Sequence, residues 1–278
     1  MAGHLNPEPD LALRDEPTSA PVLTAIVAGF LSLGTVPTSV EGQNRLVDPS
    51  AMVAQPVVDS VPHEFYFTRA MYSDIRARFP SWSVDYPKAD RQFLIGLRQL
   101  TNIDASGAEH PIRLDDPALR EFPVLYAVEV GYMSLTEAER RGLRDYLLAG
   151  GFLVVDDFWG TWEWLNFERQ IRTVLPEYPI VDIPLDHPLL HVFYDIDEIV
   201  QVPNVGQGRS GGPTWEKDGY IPAFRGIMNE EGRILVAIVW NSDLGDAWEW
   251  AEDPFYPLRF SNFAYQLGVN LMVYAMSH

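Results

Sequence analysis

The sequence predicts an α/β fold, a three-layer sandwich of the doubly wound type built on a mostly parallel sheet. Three observations carry that expectation. "FPVLYAVEVG", from Phe122, is a continuous apolar run of the kind buried on both faces of a parallel sheet. "GGFLVVDD", from Gly150, is a second such run. Between them lies the clearest helix pattern in the chain, and strand, helix and strand with short links make a right-handed crossover unit.

The elements follow in order. "HEFYFTRA", from His63, is a short β-prone run that opens the sheet, and "PKADRQFLIGLRQLTNI", from Pro87, spaces Phe93, Leu94, Leu97 and Leu100 as a helix does. In the crossover helix, Ser134 and Glu137 read as a capping box ahead of the stripe Leu135, Ala138, Leu143, Tyr146 and Leu147. Gly150 and Gly151 end it, because a helix C-cap needs residues free to take positive φ. "TWEWLNFERQIRTVLP" reads as a further helix, and "EIVQVP" and "GRILVAIVW" as strands. The turn Asn229–Gly232 ahead of the latter predicts a hairpin. The chain closes on an amphipathic helix carrying Phe263, Leu267, Leu271 and Tyr274.

The chain has 278 residues, of which 47% are hydrophobic and 21% charged, the profile of a globular protein with a proper core. A net charge of −19 repels phosphate backbones, which argues against nucleic acid as a partner. The absence of cysteine excludes thiol nucleophiles, thiolate metal sites and disulfides. Residues 1–42 form a leader: a polar, acidic start, then the apolar run "PVLTAIVAGFLSLGTV", Pro21 to Val36. That run is short for a membrane span and has the length of a signal-peptide core, with a small-residue cleavage point at Gly42. Its upstream segment is acidic where a signal peptide has a basic leader, so an uncleaved anchor or a buried segment is the competing reading. Residues 43–62 read as a linker and 63–278 as one domain, expected to be exported.

In open α/β sheets ligands bind beyond the carboxyl ends of the strands, where Asp156 and Asp157 stand. Neighbours on a strand point to opposite faces, so Asp157 is the site candidate and Asp156 is expected to hydrogen-bond the following loop. The competing reading makes both of them caps for the next helix. Phe158, Trp159, Trp162 and Trp164 surround Glu163, and aromatic faces beside carboxylates suit sugar rings. The alternative is a bulky core seam. Trp159, flanked by glycine, is the aromatic expected to be exposed. "WNSDLGDAWEW" repeats the theme with Asn241, Asp243, Asp246 and Glu249.

Arg69, Tyr72, Asp85 and Lys88 are polar groups near strand ends that can receive a ligand or simply pair with the acids. His187 beside Asp186 can serve as a base, although a helix-entry turn explains D-H-P equally well. His187 and His191 stand four apart without a third ligand, and no spacing matches a calcium loop, so neither metal nor cofactor is expected. "GQGRSGG", Gly206 to Gly212, reads as a mobile loop.

Six segments, "FYFTRAMYSD", "DYPKADRQFLIGLRQLT", "YLLAGGFLVVDDFWG", "DHPLLHVFYDI", "WNSDLGDAWEW" and "LGVNLMVYA", together resemble the bacterial domain-of-unknown-function family 4159, over roughly residues 63 to 276. The resemblance implies a flavodoxin-like fold of the class I glutamine-amidotransferase type. Amidotransferase activity itself needs the cysteine this chain lacks. It further implies an envelope protein, with relatives that accompany aerotolerance-type modules and their ATPases, and it transfers no catalytic residue. Two functions stay open. One is a non-catalytic binding or assembly domain of the envelope, with a small-molecule or saccharide ligand or another envelope protein as partner. The other is a carboxylate-dependent hydrolase, with glycosides as the substrate class considered, using Asp157 with Asp243 or Glu249.

Overall fold

The two apolar runs become strands Val124–Val128 and Phe152–Asp156, paired in parallel and buried along their whole length. Runs without a polar alternate have no face to give to solvent, so both faces must be covered. The computed structural model describes residues 62–76 and 78–278, and the leader and its apolar run lie outside them. In chain order the strands are β1 Thr68–Met71, β2 His110–Arg113, β3 Val124–Val128, β4 Phe152–Asp156, β5 Ile180–Asp182, β6 Ala223–Met228 and β7 Ile234–Trp240. They form one sheet in the order β2-β1-β3-β4-β7-β6-β5, in which β6 alone opposes its neighbours. The expected hairpin joins β6 to β7 through a turn in which the Gly232 N–H donates to Asn229 O, with Gly232 at φ 81°.

The helices are α1 Lys88–Leu100, α2 Glu137–Leu148, α3 Gly160–Val174, α4 Val205–Ser210, α5 Leu244–Glu249 and α6 Leu258–Ser277. Strand side chains alternate between two cores, as a period of two demands. Tyr126, Val154 and Ala237 join the core with α1, α5 and α6, while Leu125, Val155 and Ile238 join the core with α2 and α3. The fold is therefore a mixed α/β structure with a mostly parallel sheet between two helical layers. Among the described residues no helix is long and apolar enough to cross a membrane.

Several local expectations are corrected. The capping box sits two residues later, on Thr136 and Glu139, so α2 starts at Glu137 and Ala138 is exposed. Both positions satisfy the S/T-x-x-E pattern. The later one wins because Glu139 is buried, where it also accepts from the Ser73 N–H and hydroxyl. "EIVQVP" is not a strand. Val202 instead bridges to the loop after β7, donating to Ser242 Oγ and accepting from the Asp243 N–H. The glycine-rich 206–212 stretch is mostly α4, capped by Asn204 at its start and closed by Gly211 in the left-handed conformation. Leu100, expected on the apolar stripe of α1, is exposed.

Candidate functional site

β3, β4 and β7 end in the same way. The residue after each strand, Glu129, Asp157 and Asn241, takes a left-handed backbone with φ of 54°, 50° and 60°. Asp85, in the loop after β1, does so too at 60°. Non-glycine residues adopt this conformation seldom, Asn and Asp most readily, and such outliers gather at functional sites. Here the turned backbones are laced together. The Glu129 N–H donates to Asp157 O at 3.0 Å, the Asp157 N–H to Ser242 O at 3.2 Å, and the Asn241 N–H to Phe158 O at 3.1 Å.

These turns bring carboxylates from three loops to one place. Asp85, Asp157 and Asp243 each offer an oxygen within 4.8 Å of the others, and Asp85, Asp246 and Glu249 form an adjoining trio on the same terms. Asp157 is 7% and Asp243 3% exposed. Burial first, then the neighbouring carboxylates, holds Asp85, Asp157 and Asp243 well above the usual carboxylate range. Asp243 also caps α5 by accepting from the Asp246 N–H at 2.7 Å. Asp156 plays a supporting part, but toward β3 and the start of α5 rather than the loop that follows it. It accepts from the Tyr126 hydroxyl and from the Leu244 and Gly245 N–H groups, and burial still pushes it up to about 7.

Trp159 is the clearest correction. It is 2% exposed, and its indole N–H donates to Asp157 Oδ1 at 3.0 Å. As the residue preceding α3 it points inward, so the glycine beside it opens the backbone rather than the space around the ring. Gly160, at φ 72°, then makes the turn, held by Asn241 Oδ1. The exposed indole belongs to Trp162, at 57%, while Trp164 is half-buried against Phe158 and Trp240.

Other nominated residues serve the frame. Arg69 is fully buried in an ion pair with Asp90 on α1, at 3.1 and 2.5 Å. Tyr72 is buried and donates to Val128 O. Lys88 lies 3.7 Å from Glu249 and 3.4 Å over the Trp250 ring. Asn241 spends its amide on Ile221 O and Gly160 N–H. His187 packs against Tyr274, whose hydroxyl accepts from Ile234 at the amino end of β7, so it stands at the opposite edge of the sheet.

Sequence reasoning named Trp162 and Glu163 but missed the other members of the rim beside the trio. Arg76 pairs with Glu129 at 3.0 Å and lies 3.5 Å over the Tyr132 ring, which faces Trp162 at 5.5 Å. Lys217 pairs with Glu163, whose other oxygen accepts from the Trp159 N–H. Burial pushes Glu129 up to about 7 even with Arg76 beside it. Its place just after an apolar strand was the one available signal.

A comparison with known families matches residues 68–276, from the first residue of β1 almost to the end of α6, to a domain of unknown function (DUF4159). The chain belongs to this family. No curated protein matches it. The DUF4159 segment contains both carboxylate trios and the whole rim, so everything described at this edge belongs to the family domain.

Proposed function

We propose that this DUF4159 domain is a non-catalytic binding module of the bacterial cell envelope that takes a saccharide at the carboxyl edge of its sheet. The observation that carries the reading is the exposed Trp162 ring, tilted 55° against a Tyr132 ring that Arg76 covers, with Lys217 and the Glu129 and Glu163 carboxylates nearby. Flat aromatic faces next to charged hydrogen-bonding groups are what a sugar ring needs, its C–H face stacking and its hydroxyls pairing. The strand order β2-β1-β3-β4-β7 supports the finer, flavodoxin-like assignment, in which ligands sit at this edge.

The hydrolytic alternative draws on the convergence of Asp157 and Asp243. Paired glycosidase carboxyls must flank a bound glycosidic bond. Asp157 and Asp243 offer oxygens within 4.8 Å of each other, closer than the roughly 5–5.5 Å or more that such pairs keep, which favours binding.

Titration with soluble oligosaccharides of N-acetylglucosamine and with released cell-wall glycan fragments, followed by tryptophan fluorescence, tests the reading. Saturable binding is expected, weakened about tenfold in Trp162→Ala, the order of one lost aromatic stack. The melting temperature should hold, since exposed positions carry little stability. Binding that survives unchanged in Trp162→Ala, or none to any glycan, overturns the reading. For the envelope assignment, the support is the apolar run Pro21 to Val36. N-terminal sequencing of protein from the native host should read from Gln43, and intact Met1 in a cytoplasmic fraction would count against export.

A further inference from the structure

Each cation near the carboxyl edge already has a partner: Arg69 has Asp90, Lys88 has Glu249, Arg76 has Glu129 and Lys217 has Glu163. No ion pair reaches Asp85, Asp157 or Asp243 among the described residues. Buried carboxylates are ordinarily paired or bound to a metal, so Asp157 and Asp243, converging with the part-buried Asp85 and served only by the more distant Arg69 that Asp90 already holds, need an explanation. A second observation points the same way. Asp85 Oδ2 is shielded from solvent and accepts no hydrogen bond, and the same holds for Oδ1 of the fully buried Asp156.

The orphaned Asp85 oxygen has a direction. A Cβ on Gly245 would lie 2.7 Å from it, 3.2 Å from the Tyr126 hydroxyl and 3.5 Å from Asp243 Oδ1, so these oxygens crowd one spot beside the bare glycine. That spot lies where the loop after β1 meets the first turn of α5. We propose that Asp85, Asp157 and Asp243 hold a hard divalent cation of the Ca²⁺ or Mg²⁺ class, with Asp246 and Glu249 as an adjoining anionic flank.

The chemistry of the donors fits. All are carboxylate oxygens, which select hard cations over the softer metals that nitrogen and sulfur attract. Three protein ligands leave coordination positions for water or for oxygens of a bound molecule. The Trp159 indole on Asp157 acts as a partner that orients a ligand. The local backbone also suits the test. Asn tolerates the left-handed conformation at 85 and 157, and it caps a helix as well as Asp does at 243.

The proposal rests on the binding reading only in sharing this edge. Calorimetric titration of the chelator-treated protein with Ca²⁺, Mg²⁺ and Mn²⁺, each alone, should show one saturable site and a raised melting temperature. Tb³⁺ should luminesce on excitation of tryptophan, given Trp159 beside the ligands. Asp243→Asn and Asp85→Asn should each weaken the site at least tenfold while remaining folded, and Gly245→Ala should block it by filling the spot. Asp115→Asn, an exposed carboxylate paired with Arg113, should change nothing. No saturable response to any of these ions, or unchanged affinity in Asp243→Asn, overturns the proposal. Cation binding without glycan binding would sink the saccharide reading alone, and glycan binding indifferent to all of these ions would sink the cation alone.

Discussion

Replacing Arg69 by methionine is expected to cost about 3–5 kcal/mol of folding stability, because it leaves Asp90 charged or protonated in the core without its partner. Both side chains are 0% exposed, and the guanidinium also donates to Val84 O and lies 4.8 Å from the centre of the Tyr126 ring. In a domain of this size the melting temperature should fall by roughly 10 °C. The double variant Arg69→Met with Asp90→Leu should recover most of the loss, since an apolar pair of similar volume often equals a buried ion pair. Urea unfolding of the three variants measures the coupling. A single variant that loses less than 1 kcal/mol, taking ~1 kcal/mol as an ordinary point-mutation effect, would show that the pair is not the clamp between β1 and α1.

The metal-free protein should lose stability as pH rises from about 5 to 8, whereas most proteins are most stable within that range. Glu129 is raised from 4.5 to about 7 by burial, offset by Arg76 and Lys217 and reinforced by Glu163 and Glu216. The folded state therefore holds this proton after the unfolded chain has released its own. Stability is complete below the unfolded value and declines as pH climbs through the window to about 7. Each such group contributes about 1.4 kcal/mol per pH unit while it lasts. Asp85, Asp157 and Asp243, which face one another along with Asp156 and Asp246, are raised too and add to the decline. Asp115, Glu177 and Asp253 shift downward, so their opposite effect is confined to more acidic pH, while His110 and His187, lowered by burial, oppose the decline inside the window and are outnumbered by the raised carboxylates. Scanning calorimetry with a chelator at pH 5, 6, 7 and 8 checks the slope, and a rising or flat melting temperature would refute it.

What the sequence made legible tracks how strongly each segment is constrained. "FLVVDD" could be read because a strand buried on both faces needs an unbroken apolar run, and Asp157 followed from its place at the carboxyl end. β2, β5 and β6 left little trace. "HPIR" contains a proline, β5 is a three-residue edge strand with an exposed face, and "AFRGIM" breaks its pattern with arginine and glycine. "EIVQVP" had strand composition, but tertiary hydrogen bonds to Ser242 and Asp243 took its backbone elsewhere. The acids of the trio were each visible singly. Their convergence was not, because it depends on turns contributed by residues up to 158 positions apart, from Asp85 to Asp243. Trp159 was misjudged and Trp162 underrated because the register of α3, which buries Glu163, Phe167 and Ile171, decides which indole faces out.

The left-handed residues that close β3, β4 and β7 change how this edge must be interrogated. At Asp157 and Asn241, alanine alters two things together, removing a functional group and the ease with which Asp and Asn hold the left-handed backbone. Glycine at the same positions erases the side chain and leaves the turn unstrained, so set beside alanine it separates the loss of the group from the strain of the backbone. The same asymmetry restricts which replacements the fold accepts. Asn, Asp and Gly can be exchanged at these positions at small backbone cost, while valine or isoleucine there would be rejected before any question of ligand arises.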